Sequence, residues 1–236
     1  MAQYLSRIAP DIAASPEMSF VVEEHQSAAF VVKQLFTAGR AKLTLLLWIM
    51  FFMCLLDLYF LNNWLPTVMH DAGIAVEKAI IITTLFQIGG TAGALTLGRL
   101  IDRHSSFRVL AWTYLAAGAS VFLIGAAGAS IALLVCTVSA AGFCVIGGQN
   151  GANALAAEFY PTAIRSTGVG WAFGIGRIGS IIGPVLGGAL LSLTSETRRV
   201  FWAAAVPVLI ATIAAFVAAF IKTKQAVGPA LRGSSP

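Results

Sequence analysis

Hydrophobic positions along this chain run in unbroken blocks of about 20 residues, with no alternation at the period of two that a membrane β-barrel strand would show. A helix needs roughly that many residues to cross a hydrocarbon core about 30 Å thick. The blocks predict six spans, over residues 43–65, 79–98, 107–128, 130–150, 166–192 and 200–221. The expected fold class is therefore an all-α membrane protein, a six-helix bundle over residues 43–221. Small residues at Gly128 and Ser130 leave only a tight turn between the third and fourth spans, which makes those two antiparallel neighbours.

Residues 1–42 precede the bundle with prolines and mixed charges but no signal-peptide core, and read as a cytoplasmic loop. Within them Phe30, Val31, Leu35 and Phe36 alternate with Lys33, Gln34 and Arg40, predicting a short amphipathic helix at the interface. Residues 222–236 read as a cytoplasmic tail.

Composition agrees with lipid as the solvent: 58% of residues are hydrophobic, 11% are charged, and the mean hydropathy is +0.85. The net charge of +5 suggests no nucleic-acid partner, because the basic residues lie between apolar blocks and form no stripe with aromatics. Instead it orients the bundle. With both termini inside the cell, eleven Lys and Arg residues from Arg7 to Arg232 face the cytoplasm, against Lys78, Arg198 and Arg199 outside. Cys54, Cys136 and Cys144 lie within apolar blocks without metal-ligand spacing and read as small buried hydrophobes. His25, His70 and His104 are scattered among loops. There is no Ser/His/Asp set and no phosphate-cradling loop, so the chain reads as no enzyme and calls for no cofactor and no metal.

Polar residues at membrane depth carry the candidate chemistry, since a charge at a helix centre costs on the order of 2.5 to 3.5 kcal/mol on insertion scales. Arg177 lies deep in the fifth span, on a helical face with Gly170, Gly174, Ser180, Ile181 and Pro184. Small side chains there leave room beside a guanidinium whose planar fork suits a carboxylate. Asp57 falls at a similar depth in the first span, which leaves two readings open: a buried ion pair with Arg177, or substrate binding. Gln87 in the second span and Gln149, Asn150 and Asn153 in the fourth are further candidate substrate contacts, or interhelical hydrogen-bond partners. Trp64 reads as an interface anchor. Glycines four apart, at Gly147 with Gly151, Gly170 with Gly174, and Gly179, Gly183 with Gly187, predict close helix contacts.

Two loops on the predicted cytoplasmic face hold a second set. Gly98, Asp102 and Arg103 form G-x-x-x-D-R, and Glu158, Pro161, Arg165 and Gly168 form E-x-x-P-x-x-x-R-x-x-G. Asp102 and Glu158 are placed to meet helix N-termini, or Arg103 and Arg165, as charge latches that break when helices move.

Both loops resemble the cytoplasmic signatures of the major facilitator superfamily, in the C-terminal half of its twelve-helix fold. The run GGQNGANALAAEFYPTAIRSTGVGWAFGIGRIGSIIGPVLGG from Gly147 to Gly188 resembles its aromatic acid:proton symporter family, and the likeness extends through FFMCLLDLYFLNNWLP. The resemblance implies proton-coupled uptake of benzoate-like or hydroxybenzoate-like anions by alternating access, with Arg177 as the anion-binding residue. The family's first six helices have no counterpart in this sequence, and Asp57 stands where an apolar residue is expected. The implied protein is a half-length transporter whose partners are a small aromatic carboxylate, protons, the lipid bilayer, and either a separate N-terminal half or a second copy. The alternative is a non-transporting membrane fragment or interaction partner.

Overall fold

The computed structural model describes residues 31–71, 73–128, 130–194 and 196–232. Expectations resting on Arg7, His25 or Phe30, and most of the 1–42 segment, lie outside the described residues.

The uninterrupted apolar blocks form six long helices: α2 (Ala41–Asp71), α3 (Val76–Arg103), α4 (Ser106–Ala126), α5 (Ile131–Phe159), α6 (Arg165–Leu193) and α7 (Thr197–Arg232). Each is long and apolar enough to cross a membrane. They overrun most of the predicted spans by several residues, because a helix satisfies its backbone in water and lipid alike and does not stop at the hydrocarbon boundary. Thus α7 continues through Lys222 and Lys224 into the segment read as a tail.

The chain turns where the backbone can reverse. Gly73, at φ 87°, closes α2: its N–H donates to the His70 carbonyl and the next N–H, of Ile74, to Met69. Gly128, at φ 56°, turns α4 into α5, and these two helices pack side by side as expected. Among the described residues before α2 there is one helical turn, α1 (Val31–Gln34). After it the backbone leaves helical geometry at Ala38 and Gly39, both at positive φ, before α2 begins. Leu35 is fully buried against the bundle and its carbonyl accepts the Thr44 hydroxyl at 3.0 Å, while Phe36 meets Trp48 edge-on at 5.4 Å. The segment is a plug at one end of the bundle.

Three helix pairs carry most of the packing: α3 with α5, α2 with α6, and α4 with α7. α2 is the hub, touching α3, α5, α6 and α7, and it supplies Leu47, Met50, Phe51, Phe60 and Leu61 to the core. Two pairs close backbone to backbone. On α6, a side chain at Gly179 or Gly183 would strike the Phe52 or Leu56 carbonyl of α2. Between α3 and α5, Gly93 lies on the Phe143 backbone and Gly142 on that of Phe86. Gly147 meets Gly93, and Gly151 meets Ile101 and Leu110. Inside a bilayer such contact replaces the absent hydrophobic drive between helices.

Gly170 and Gly174 depart from the expected pattern, since nothing lies within 4 Å of where their side chains would begin. They belong to an uncovered face. In the most apolar stretch of α6 only 22% of residues are buried, and in α3 28%, against 50 to 56% in the other four helices. Cys136 is likewise exposed rather than buried, while Cys54 is buried and Cys144 half-buried. Lipid accepts a small apolar side chain as readily as a core does, so a membrane helix needs no inward face for its cysteines.

Candidate functional site

Of the candidate residues at membrane depth, Arg177 and Gln87 meet the hub helix through its Tyr59 and Asn62. Arg177, near the middle of α6, is exposed, and its Nη1 donates to the Tyr59 hydroxyl on α2 at 2.9 Å. One turn further along α2, Asn62 accepts from Gln87 Nε2 of α3 at 3.1 Å through its Oδ1, and Asn63 Nδ2 donates to the Tyr59 carbonyl at 2.7 Å. A ridge of Tyr59, Asn62 and Asn63 thus runs between α3 and α6, with an amide on one flank and a guanidinium on the other. The unfilled positions at Gly170 and Gly174 lie about two turns and one turn from Arg177, and Ile178 and Ile181 beside it are exposed. A cation with open space beside it and, among the described residues, a phenol as its only side-chain partner can exchange that phenol for a carboxylate at little cost.

Asp57 does not join this group. Its side chain is fully buried, and neither carboxyl oxygen has a hydrogen-bond partner among the described residues. Asp57 and Tyr59 are two residues apart, about 200° around the helix at 3.6 residues per turn, so they point to opposite sides. The matched depth of Asp57 and Arg177 therefore produces no ion pair.

The α5 amides form a separate set. Gln149 is buried and donates to Asn153 Oδ1 at 3.0 Å, and its own Oε1 has no partner among the described residues. Asn150 is exposed and donates to the Ile146 carbonyl of its own helix at 3.0 Å. No hydrogen bond links these three to Arg177 or Gln87. Trp64 is a helix-to-helix contact in place of the expected interface anchor: Gly187 makes room for its ring, and its Nε1 donates to the Pro184 carbonyl of α6 at 2.8 Å.

The two loop motifs lie at the same end of the bundle, where α3, α5 and α7 end and α2, α4 and α6 begin. Glu158 Oε2 accepts from Ser106 Oγ, in the first turn of α4, at 2.8 Å, and its Oε1 lies 3.9 Å from Lys222 Nζ. Arg165 does not reach Glu158; its Nε donates to the Tyr160 carbonyl at 3.3 Å and its Nη2 to Thr162 at 3.4 Å. Pro161 cannot continue α5, and Gly168 is small enough to lie under the Tyr160 ring. The second motif therefore folds the loop onto itself around Tyr160, whose phenol is pushed above its ordinary value by burial. In the first motif, Gly98 touches nothing through its missing side chain, and Asp102 and Arg103 are exposed with no side-chain bond among the described residues.

The sequence reading missed Tyr59, Asn62 as the partner of Gln87, and the α3–α5 glycine contacts at Gly89, Gly93 and Gly142. A heptad-like step of three or four from Tyr59 to Asn62 and Asn63 was the available signal for the first two.

Comparison with known proteins places these features in a family. The profile of the Major Facilitator Superfamily matches residues 47–235. The gallate transporter of Pseudomonas putida is 42% identical over 191 residues, 81% of this chain and 42% of that protein. The 4-hydroxybenzoate transporter of the same organism is 39% identical over 94% of this chain and 50% of its own length. The benzoate transport protein of Acinetobacter baylyi is 33% identical over 90% of this chain and 46% of its own length. The chain spans about half the length of these relatives. With six apolar helices, the loop signatures and a profile match over most of its length, this multi-pass membrane chain belongs to the major facilitator superfamily, in its aromatic acid:proton symporter family.

Proposed function

We propose that this chain forms the anion-binding, C-terminal half of a secondary transporter that takes up aromatic carboxylic acids such as benzoate or hydroxybenzoate together with protons. The observation that carries this reading is Arg177, a guanidinium in mid-membrane on an uncovered helix face, held by a neutral phenol and flanked by empty glycine positions. A carboxylate docks on its fork while the aromatic ring lies over Gly170, Gly174 or the exposed isoleucines. The substrates named for its relatives, gallate, 4-hydroxybenzoate and benzoate, all combine those two parts.

The uncovered faces of α3 and α6 bear polar groups that lipid alone would solvate poorly, so a second six-helix unit covers them, either a separate N-terminal half or another copy. That unit also supplies the proton-binding acid, since no carboxylate lies against Arg177 among the described residues. The membrane is the inner membrane with both termini cytoplasmic, because Lys42, Arg99, Arg103, Arg108, Arg165, Lys222 and Lys224 collect at one end of the bundle, against Lys78, Arg198 and Arg199 at the other. Glu158 and Arg165 brace that end, and Asp102 and Arg103 are free to bond to the covering unit.

Uptake of labelled 4-hydroxybenzoate tests this in cells expressing the chain alone, the chain with the N-terminal six helices of a relative, their Arg177→Ala versions, and an empty control. Uptake that exceeds the control and vanishes with Arg177→Ala is expected in at least the paired cells. Uptake equal to the control in every case would sink the transport reading in favour of a non-transporting interaction partner.

A further inference from the structure

Outside the Arg177 face, a groove of about 510 Å³ runs along α4, on the part of the bundle remote from α6. Its mouth is polar: His104 and Ser105 from the α3–α4 connection and Arg108 from the first turn of α4. Its floor is mostly apolar: Val109, Trp112 and Ala116 of α4 face Phe143 and Cys144 of α5, and the hydroxyl of Thr113 donates to the Val109 carbonyl of its own helix at 2.8 Å. From Ser105 to Ala116 the groove follows α4 for about 16 Å at 1.5 Å per residue. That is close to one leaflet of hydrocarbon, about half of a 30 Å core.

The charge at the mouth is unspent. Arg108 is exposed and its guanidinium bonds to nothing among the described residues, and no Asp or Glu lines the groove. Of the two nearby acids, Glu158 is engaged by Ser106 and Lys222, and Asp102 is exposed without an ion pair to Arg108. His104 holds its ring by a 3.3 Å contact from Nδ1 to the Leu100 carbonyl. Trp112, 64% exposed, stands beside the floor with its ring edge-on to Phe216. A second groove at the same end repeats the chemistry, with Lys42 and Lys224 beside Phe220 and Ile221.

From this arrangement we infer that the α4 groove binds an anionic phospholipid, its headgroup phosphate on Arg108 and one acyl chain laid along Val109, Trp112 and Ala116. A basic mouth without acids selects negative headgroups. The one-leaflet length and apolar floor select a chain-bearing ligand over a soluble anion. The site is separate from the Arg177 face, because α4 packs against α5 and α7 and makes no substantial contact with α6.

Trp112 makes the inference testable by tryptophan fluorescence of the purified full chain, delipidated and titrated with brominated-acyl phosphatidylglycerol or phosphatidylcholine. Phosphatidylglycerol should quench at a lipid fraction about fivefold below that of phosphatidylcholine, the effect of one basic residue near a headgroup. Trp112→Phe should remove the phosphatidylglycerol-specific part, Arg108→Gln should erase the preference, and Arg108→Lys should keep it. Equal quenching by the two lipids in the unmodified chain would overturn the proposal without reliance on any variant folding. So would a preference that survives Arg108→Gln or Trp112→Phe, or one abolished by inorganic phosphate or benzoate, which would mark a site for soluble anions.

Discussion

Arg177 and Asp57 show what a single residue's position along a helix does and does not reveal. Depth follows from counting residues at a fixed rise, and both are as deep as their sequence numbers require. Direction follows from the angle per residue, and there the pair separates: Tyr59 takes the side facing α6, and Asp57, two residues earlier, takes the other. That Arg177 takes a partner was legible because a lone arginine in an apolar block demands one. Its partner was hidden because tyrosine is unremarkable in such a block. Two expectations belong to this scale. Arg177→Gln should weaken 4-hydroxybenzoate binding by about tenfold to a hundredfold, whereas Tyr59→Phe should tighten it by about fivefold, since the anion then displaces no resident hydrogen bond. Isothermal titration in the assembly that shows uptake measures both, and weaker binding in Tyr59→Phe would mean that the phenol itself holds substrate. Asp57→Asn should leave that affinity within about twofold and the melting temperature no lower, because the carboxyl has no bond to lose. A drop of several degrees would reveal a partner for Asp57.

At the level of the helix, existence was legible and ends were not. Blocks of continuous hydrophobicity locate all six spans, but the helices run on into residues whose polarity marks the membrane boundary and not the helix boundary. Glycine spacing was a partial guide. Gly179, Gly183 and Gly187 meet α2 as expected, whereas Gly170 and Gly174, with the same spacing on the same helix, meet nothing. The spacing reports that small residues share a face, and only the neighbour decides whether that face is closed or open. Gly183→Leu should therefore cost about 1 to 3 kcal/mol through overpacking against the Leu56 carbonyl. Gly174→Ala should cost little, less than half of that figure. Thermal unfolding in detergent ranks the two, and equal losses would contradict the difference in space around them.

For the whole molecule, hydropathy and loop signatures gave the class and family, but not which helices lie together. Chain order suggested α4 beside α5, yet the strongest pairings are α3 with α5, α2 with α6 and α4 with α7, all non-sequential. These depend on small residues meeting across helices, which a single sequence does not pair. The contrast between covered and uncovered helices yields an expectation at this scale. In a cysteine-free background, Gly174→Cys should react with a charged thiol reagent about tenfold faster than Leu123→Cys on the apolar outer face of α4, because thiolates form only where water reaches. Comparable rates would mean that the Arg177 face is lined by lipid.

The backbone contacts between α2 and α6, and between α3 and α5, carry a mechanical consequence. Where one helix's carbonyls rest directly on another's glycines, there is no layer of side chains to shear, and the Trp64 bond to Pro184 pins the first pair at a further point. Such joints behave as welds rather than bearings. If the six helices move during a transport cycle they tilt as one block, and the play in the machine has to lie along the surface where Arg177 looks outward.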